Sequence, residues 1–133
     1  MKPNLKKGFS LIELIFVIAI LGIIAAVAVP KLLDSRSEAV ISTIKQDVAT
    51  ISSSIQSYHM INGSISKITD AVNVNTKTWV VNDLELQYNI DNENCIKMVI
   101  ESSKLNITVN SQSSDLCKKI SDAGVETISY DLY

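Results

Sequence analysis

The sequence predicts an α+β fold, in which one long N-terminal helix, membrane-spanning in its first half, packs on a small antiparallel β-sheet. Three observations support this prediction. An apolar run near the N-terminus contains one acidic residue, an apolar stripe at helical spacing follows it, and three later segments alternate apolar and polar side chains. At 133 residues the chain has room for one domain and an appendage, which excludes a multi-span membrane protein and a large enzyme.

Charge is distributed unevenly along the chain. Lys2, Lys6 and Lys7 precede the apolar run without any acid, and the rest of the chain holds nine basic and fourteen acidic residues. This acidic balance argues against a nucleic-acid-binding surface, which would present basic side chains to phosphate. The leading lysines place the N-terminus in the cytoplasm and the remainder of the chain across the membrane.

The first element is a membrane-spanning helix that begins at Phe9. The 21 residues from Phe9 to Val29 would extend ~30 Å as a helix, which is about the hydrocarbon thickness of a bilayer. A cleaved secretory signal is the alternative, because small residues near Val29 imitate a cleavage site. Glu13 counts against it, since a carboxylate in an apolar span is costly and needs a partner. That partner is either a lipid headgroup or a charge on another chain.

The helix continues beyond Pro30 as an amphipathic segment. The residues of its apolar stripe recur at steps of three, four or seven: Leu33, Val40, Ile44, Val48, Ile51, Ile55 and Tyr58. Pro30 cannot donate a hydrogen bond to the carbonyl of Ala26, which predicts a kink. Asn62-Gly63 offers a stop, so the helix would extend ~80 Å. Its first half needs lipid or other chains around it, and its second half needs a sheet.

The sheet is predicted from segments with a period of two residues. Three such strands lie at 84–90, 96–101 and 105–110. Short turn-like separators between them make an antiparallel meander the simplest arrangement. Further short strands are expected at 78–82 and 127–130, and residues 64–77 form a polar connection from helix to sheet.

Two cysteines, Cys95 and Cys117, lie in the polar half of the chain. Their spacing is too wide for a CxxC redox pair, and two ligands are too few for a structural zinc site. In the cytoplasm they would be free thiols. Outside the cytoplasm, a disulfide that closes the intervening loop is favoured, and it would contribute roughly 3 kcal/mol.

No catalytic or metal-binding constellation emerges from the sequence. A histidine-dependent triad would have to use His59, the single histidine, which is better interpreted as a solvated residue near the helix end. Asp91, Glu93 and the adjacent asparagines offer oxygen ligands for calcium, but a plain hairpin turn is favoured. We therefore expect no enzymatic activity and assign no cofactor.

Residues 6–33 resemble the class III signal of type IV pilins and type II secretion pseudopilins. The resemblance rests on Lys6-Lys7-Gly8-Phe9-Ser10-Leu11-Ile12-Glu13-Leu14, the apolar run that follows, and Pro30. It implies a pilin-like fold with a prepilin leader at 1–8 and a transmembrane assembly helix at 9–33. The amphipathic continuation would occupy 34–62 and the exported β-sheet domain 63–133.

The resemblance also implies roles for individual residues. A membrane-embedded prepilin peptidase would cut between Gly8 and Phe9 and then N-methylate Phe9. Cleavage would leave a charged amine near Glu13, and Glu13 would pair with the amine of a neighbouring subunit, because each charge is costly alone in a dry core. In assembled relatives the helix partly unwinds between the positions that match Gly22 and Pro30, and the same is expected here.

The implied function is that of a structural filament subunit. The compact exported domain favours a pseudopilin of a type II secretion or DNA-uptake machine, and a type IV pilus subunit for adhesion or motility is the alternative. Expected partners are further copies, other pilin-like subunits, the prepilin peptidase, and the assembly platform and ATPase. The chain would cross the bacterial inner membrane once, with a periplasmic C-terminal domain, before it enters a filament in the periplasm or at the cell surface. A signal-anchored periplasmic enzyme or binding module is the second hypothesis, and no convergent site in residues 64–133 supports it.

Overall fold

A computed structural model describes residue 3 and residues 7–133 of the chain, so most of the predicted leader lies outside the described residues. The helices are α1 (Leu11–Asn62), α2 (Ile68–Ala71) and α3 (Asp115–Asp122), and the strands are β1 (Trp79–Asn82), β2 (Glu85–Ile90), β3 (Glu93–Glu101), β4 (Lys104–Val109) and β5 (Ile128–Asp131). The predicted α+β class is confirmed. The chain divides into two compact units, and the boundary lies between Glu38 and Ala39.

The first unit contains the N-terminal part of α1. The helix is continuous through Gly22 and Pro30. From Leu11 to Glu38 no side chain is buried. Leu33, which the sequence places on the apolar stripe, is also exposed here, because no element of the described first unit covers the helix at that position.

The second unit contains one five-stranded antiparallel sheet with the strand order β1-β2-β3-β4-β5. The three predicted central strands and both predicted short strands are present. Two-residue turns join β2 to β3 and β3 to β4, and both residues of each turn have positive φ: Asp91 (51°) and Asn92 (67°), then Ser102 (51°) and Ser103 (59°). These angles are typical of the type I′ turns that match the twist of a hairpin.

The core of the second unit lies between the predicted stripe of α1 and one face of the sheet. Ile44, Val48, Ile51 and Ile55 are buried on the helix. They pack in one cluster with the inward side chains of the strands, which include Trp79, Leu86, Tyr88, Ile96, Met98, Leu105 and Ile107. The 3.6-residue period of the helix and the two-residue period of the strands therefore bury the same apolar cluster.

Two short helices were not predicted from the sequence. Helix α2 interrupts the connection at 64–77 and buries Ile68 completely. Helix α3 fills the connection from β4 to β5, and the hydroxyl of Ser114 caps it by accepting a hydrogen bond from the N–H of Cys117 at 3.1 Å. Cys117 and Ile120 of α3 are fully buried, so this helix covers part of the core.

Candidate assembly and processing site

Helix α1 begins immediately after the residues that resemble a processing signal. Gly8, Phe9 and Ser10 precede its first residue. The hydroxyl of Ser10 accepts a hydrogen bond from the backbone N–H of Glu13 at 3.3 Å, and the carbonyl of Ser10 accepts one from Leu14 at 3.2 Å. Ser10 is thus the N-cap of the helix, a role that the sequence analysis missed. The S-x-x-E spacing of a capping box is the signal that would have found it.

Glu13 is the only charged residue between Phe9 and Val29, and its side chain is exposed in the first turn of the helix. Within the described residues, its carboxylate makes no hydrogen bond and no ion pair. A negative charge is favourable at this end of a helix because the first N–H groups carry partial positive charge. If the helix extended back to residue 9, the rise from residue 9 to residue 13 would be ~6 Å along the helix axis, and an amine at residue 9 would lie within a side-chain length of this carboxylate.

The apolar surface that surrounds Glu13 is uncovered on every side. Phe9 is 86% exposed, and apolar side chains remain exposed along the helix as far as Leu33. Among the described residues, one helix is long and apolar enough to cross a membrane, and its most apolar window buries no residue. A helix that is apolar all round needs an apolar environment on all sides, which lipid or other helices provide.

Gly8, Gly22 and Pro30 have no packing role within the described chain. Apart from the adjacent residues and the backbone of its own helix, a Cβ atom added at Gly8 or Gly22 would meet no atom of the described residues within 4 Å. Pro30 lies inside α1, where it withholds one backbone donor without ending the helix. No contact among the described residues therefore requires a glycine at 8 or 22, and another molecule or another state of the helix is where a reason for either residue is expected.

The structure joins Cys95 to Cys117 in a disulfide with a Cα–Cα distance of 5.7 Å. The pairing of β2 with β3 passes from Tyr88–Ile96 to Asn89–Asn94, so Cys95 is an extra residue in a β-bulge. The bulge allows both Cys95 and Ile96 to be fully buried although they are adjacent in the strand. The disulfide thereby links the sheet to α3.

The other candidate groups lie in the second unit and are not brought together. His59 is partly buried rather than solvated, and it lines a pocket of about 200 Å³ with Leu84, Ile100 and the Ser102–Ser103 turn. Its Nδ1 atom is buried and has no hydrogen-bond partner in the described chain. No group of three or more histidine, cysteine or acidic residues is placed to hold a metal ion in the part of the chain that the structure describes.

Two side chains of β2 have shifted pKa values. A hydrogen bond from the Gln87 amide lowers the pKa of the Glu85 carboxyl, although burial opposes the shift, and Lys97 at 3.2 Å lowers it further. Burial raises the pKa of the Tyr88 hydroxyl above its usual value of 10.0. Neither group lies in a site with the features of a catalytic centre.

Comparisons with known proteins agree with the resemblance noted above. Residues 3–29 match the model of the prokaryotic N-terminal methylation motif. The type IV major pilin protein PilE of Neisseria gonorrhoeae is 29% identical over 123 residues, which cover 92% of this chain and 73% of that protein. A fimbrial protein of Neisseria meningitidis gives the same identity over 92% of this chain and 72% of its own length.

A second kind of relative matches only part of the chain. The type II secretion system core protein G of Pseudomonas aeruginosa is 34% identical over 62 residues, which cover 47% of this chain and 44% of that protein. No solved structure matches the chain. The likeness to pilins therefore extends over both units of the chain, whereas the likeness to core protein G covers less than half of either protein.

Proposed function

Because the chain belongs to the family of type IV pilins and type II secretion pseudopilins, we propose that it is a structural subunit of a pilin-like filament. The observation that carries the proposal is the exposed apolar part of α1, which has at its start one carboxylate without a partner among the described residues. Such a surface is stable only inside lipid or inside a bundle of similar helices. The names of the relatives describe structural proteins, which agrees with the expectation that the chain is not an enzyme.

Processing is the first step of the proposed mechanism. A prepilin peptidase cuts between Gly8 and Phe9 on the cytoplasmic side of the inner membrane and methylates the new amine. Gly8 precedes the helix, is exposed, and has no described residue other than its chain neighbours within 4 Å of its Cβ position, which favours access of an enzyme to its backbone. Cutting there removes Lys2, Lys6 and Lys7 and leaves one positive charge near Glu13.

Assembly is the second step. Glu13 of one subunit pairs with the terminal amine of a neighbour, and the apolar helices form the filament core. The pair matters because an unpaired charge in an apolar bundle is strongly unfavourable, and removal of one partner from a buried pair costs about 3–5 kcal/mol. The sheet domain, held outside the membrane, forms the surface of the filament. An assembly platform and its ATPase supply the motor energy.

Two finer roles are proposed in order. The first is a pseudopilin of a type II secretion or DNA-uptake machine, because the described second unit is compact and its connections hold only the short helices α2 and α3. The second is a subunit of a type IV pilus, which is favoured by the matches to pilins over 92% of the chain. Surface pili on wild-type cells would support the second role, and loss of secretion or DNA uptake on deletion would support the first.

Intact mass spectrometry of the membrane-extracted protein tests processing. We expect the wild-type mass to lack residues 1–8 and to carry one methyl group, and Gly8→Phe to retain the leader because its ring blocks the peptidase. Asn4→Phe is the matched control, since it adds the same ring within the leader and away from the cleaved bond. Normal removal of the leader from Gly8→Phe would contradict the peptidase assignment.

Electron microscopy of sheared filaments tests assembly. We expect Glu13→Gln to be processed normally but to give at least about tenfold fewer filaments, because the inter-subunit charge pair is lost. Glu126→Gln, which neutralises an exposed acid of the second unit, should assemble like wild type. Wild-type yield from Glu13→Gln would mean that Glu13 only contacts lipid headgroups.

A further inference from the structure

Four charged residues follow the apolar part of α1 within two helical turns of one another. They are Lys31, Asp34, Arg36 and Glu38, and all four side chains are exposed. Among the described residues, no ion pair joins any two of them. Arg36 lies seven residues beyond Val29, or ~10 Å along the axis, which places this group just outside the hydrocarbon layer.

The positions of these charges give the helix two opposite faces. Each residue turns an α-helix by about 100°, so Arg36 lies about 160° around the axis from Asp34 and from Glu38. The two acids are four residues apart, share one face and repel each other. Lys31 lies on the acidic face, three residues before Asp34, where it offsets the charge of Asp34 more than that of Glu38. One face therefore presents an unpaired acid and the opposite face presents an unpaired guanidinium.

We propose that Arg36 of one copy of this chain binds Glu38 of a neighbouring copy, as a second charge contact outside the membrane-spanning segment. This inference rests on the proposed function, since it requires that the helices assemble side by side. A contact between opposite faces is heterologous, so each copy uses both faces and the contact repeats without closing. Arginine suits it because its planar guanidinium binds a carboxylate through two hydrogen bonds.

The axial shift set by Glu13 selects Glu38 as the acceptor. If the helix of the processed chain begins at residue 9 and its terminal amine is level with Glu13 of the next copy, the two helices are offset by four residues, or ~6 Å. Arg36 of the first copy is then level with position 40 of the second, ~3 Å beyond Glu38 and ~9 Å beyond Asp34. The long arginine side chain spans the shorter distance, so one offset satisfies both charge contacts.

Glu13 and Glu38 also lie on the same face of α1. They are 25 residues apart, which at 100° per residue is about 20° short of seven full turns. While α1 stays continuous through Gly22 and Pro30, as it is in this structure, the face that accepts the amine of a neighbour therefore also presents Glu38 to that neighbour. Together the two acids would fix the axial offset and the rotation of adjacent copies at both ends of the apolar segment.

Reciprocal charge exchange in the full chain tests the contact. Filament yield from the native host is measured for Arg36→Glu, for Glu38→Arg, for the double exchange, and for the two single variants expressed together. Each single variant should give about tenfold fewer filaments, because like charges meet at every contact. The double exchange should recover wild-type yield within about twofold. Co-expression of the two single variants should also recover it, since alternating copies restore opposite charges.

Two further variants separate this contact from general effects of charge. Lys118→Glu makes the same change of charge at an exposed position of α3 and should leave the yield unchanged. Asp34→Arg should reduce the yield less than Glu38→Arg, because Asp34 lies farther from Arg36 of the neighbour. Equal losses for these two acids would overturn the assignment of Glu38.

The outcomes distinguish this inference from the proposed function. Absence of filaments from the wild-type chain would contradict the proposed function, and the contact would fall with it. Wild-type filaments together with wild-type yield from Arg36→Glu would overturn the contact alone. Failure of both the double exchange and the co-expression to restore the yield would also overturn the contact. Both experiments restore opposite charges between neighbouring copies, so a loss that neither repairs has its cause within the single chain.

Discussion

The disulfide between Cys95 and Cys117 gives the sharpest stability prediction for the second unit. The double substitution Cys95→Ala and Cys117→Ala removes the link between the bulge of β3 and helix α3. Both side chains are fully buried, so alanine keeps an apolar atom at each position and introduces no polar group. The main loss is the constraint that the bond places on the unfolded chain.

The size of this loss follows from the length of the closed loop. The two cysteines are 22 residues apart, for which loop-closure entropy gives about 3 kcal/mol at 25 °C. A domain of up to about 100 residues loses roughly 4–8 °C in melting temperature per kcal/mol. The double variant should therefore melt roughly 12–24 °C below the oxidised wild type.

Trp79 is a convenient probe of this unfolding. It is the only tryptophan, and 1% of its surface is exposed in the core of the second unit. Its fluorescence would be followed during heating of the full chain in detergent, for the variant and for wild type with and without reductant. Reduced wild type should melt close to the variant, since it loses the same link without any substitution. If oxidised wild type melts within about 2 °C of both the reduced wild type and the double variant, the link adds no stability.

Two further predictions concern the second unit. The indole N–H of Trp79 donates to Asp47 at 3.1 Å, so Asp47→Ala should lower the free energy of unfolding by about 1.5–3 kcal/mol. Asp47→Asn, which keeps an acceptor oxygen, should lower the free energy of unfolding less. Urea unfolding followed by Trp79 fluorescence measures both losses, and equal losses would show that the acceptor is unimportant. Because burial raises the pKa of Tyr88 above 10.0, its neutral form contributes stability that is present below pH 10 and is lost as pH rises further. Unfolding measured from pH 9 to 11 should depend less on pH in Tyr88→Phe, and an unchanged slope would mean that another group is responsible.

The elements with strong periodicity were predictable from the sequence. The stripe from Ile44 to Ile55 and the alternation of the three central strands correspond to the helix face and the sheet face that pack together. The prediction that the stripe packs on a sheet was wrong at Leu33, which is exposed. Periodicity reports which face of a helix is apolar, but it does not report where the covering sheet ends.

The short helices were not predictable in the same way. Helix α2 has four residues and helix α3 has eight, so neither completes enough turns to establish a period. The cap at Ser114 was the available local signal for α3. The burial of Cys117 depends on the bulge that turns Cys95 toward it, and a bulge leaves no clear mark in the sequence.

The residues of the candidate site were predictable where their immediate sequence neighbours are sufficient to mark them. Glu13 stands out because one charge in an apolar run has no partner nearby, and the structure leaves it without one among the described residues. Gly22 and Pro30 stand out in composition, but the helix is continuous through both positions. A role in unwinding belongs to an assembled state, so a single chain cannot reveal it.

The two parts of α1 differ in what can cover them. In the second unit the apolar stripe occupies one side of the helix, and one face of a sheet is sufficient to bury it. In the first unit apolar side chains are exposed all round the helix, and only lipid or several helices can surround it. Lipid tails are as apolar as leucine, so transfer of this helix from a bilayer to a helical bundle gains no hydrophobic free energy. Charge distinguishes the two environments, because lipid tails cannot neutralise Glu13 and the amine of another copy can. The preference for a filament over the membrane therefore does not come from transfer of apolar surface out of water, and paired charges and contacts of the second unit add to the close packing of the helices.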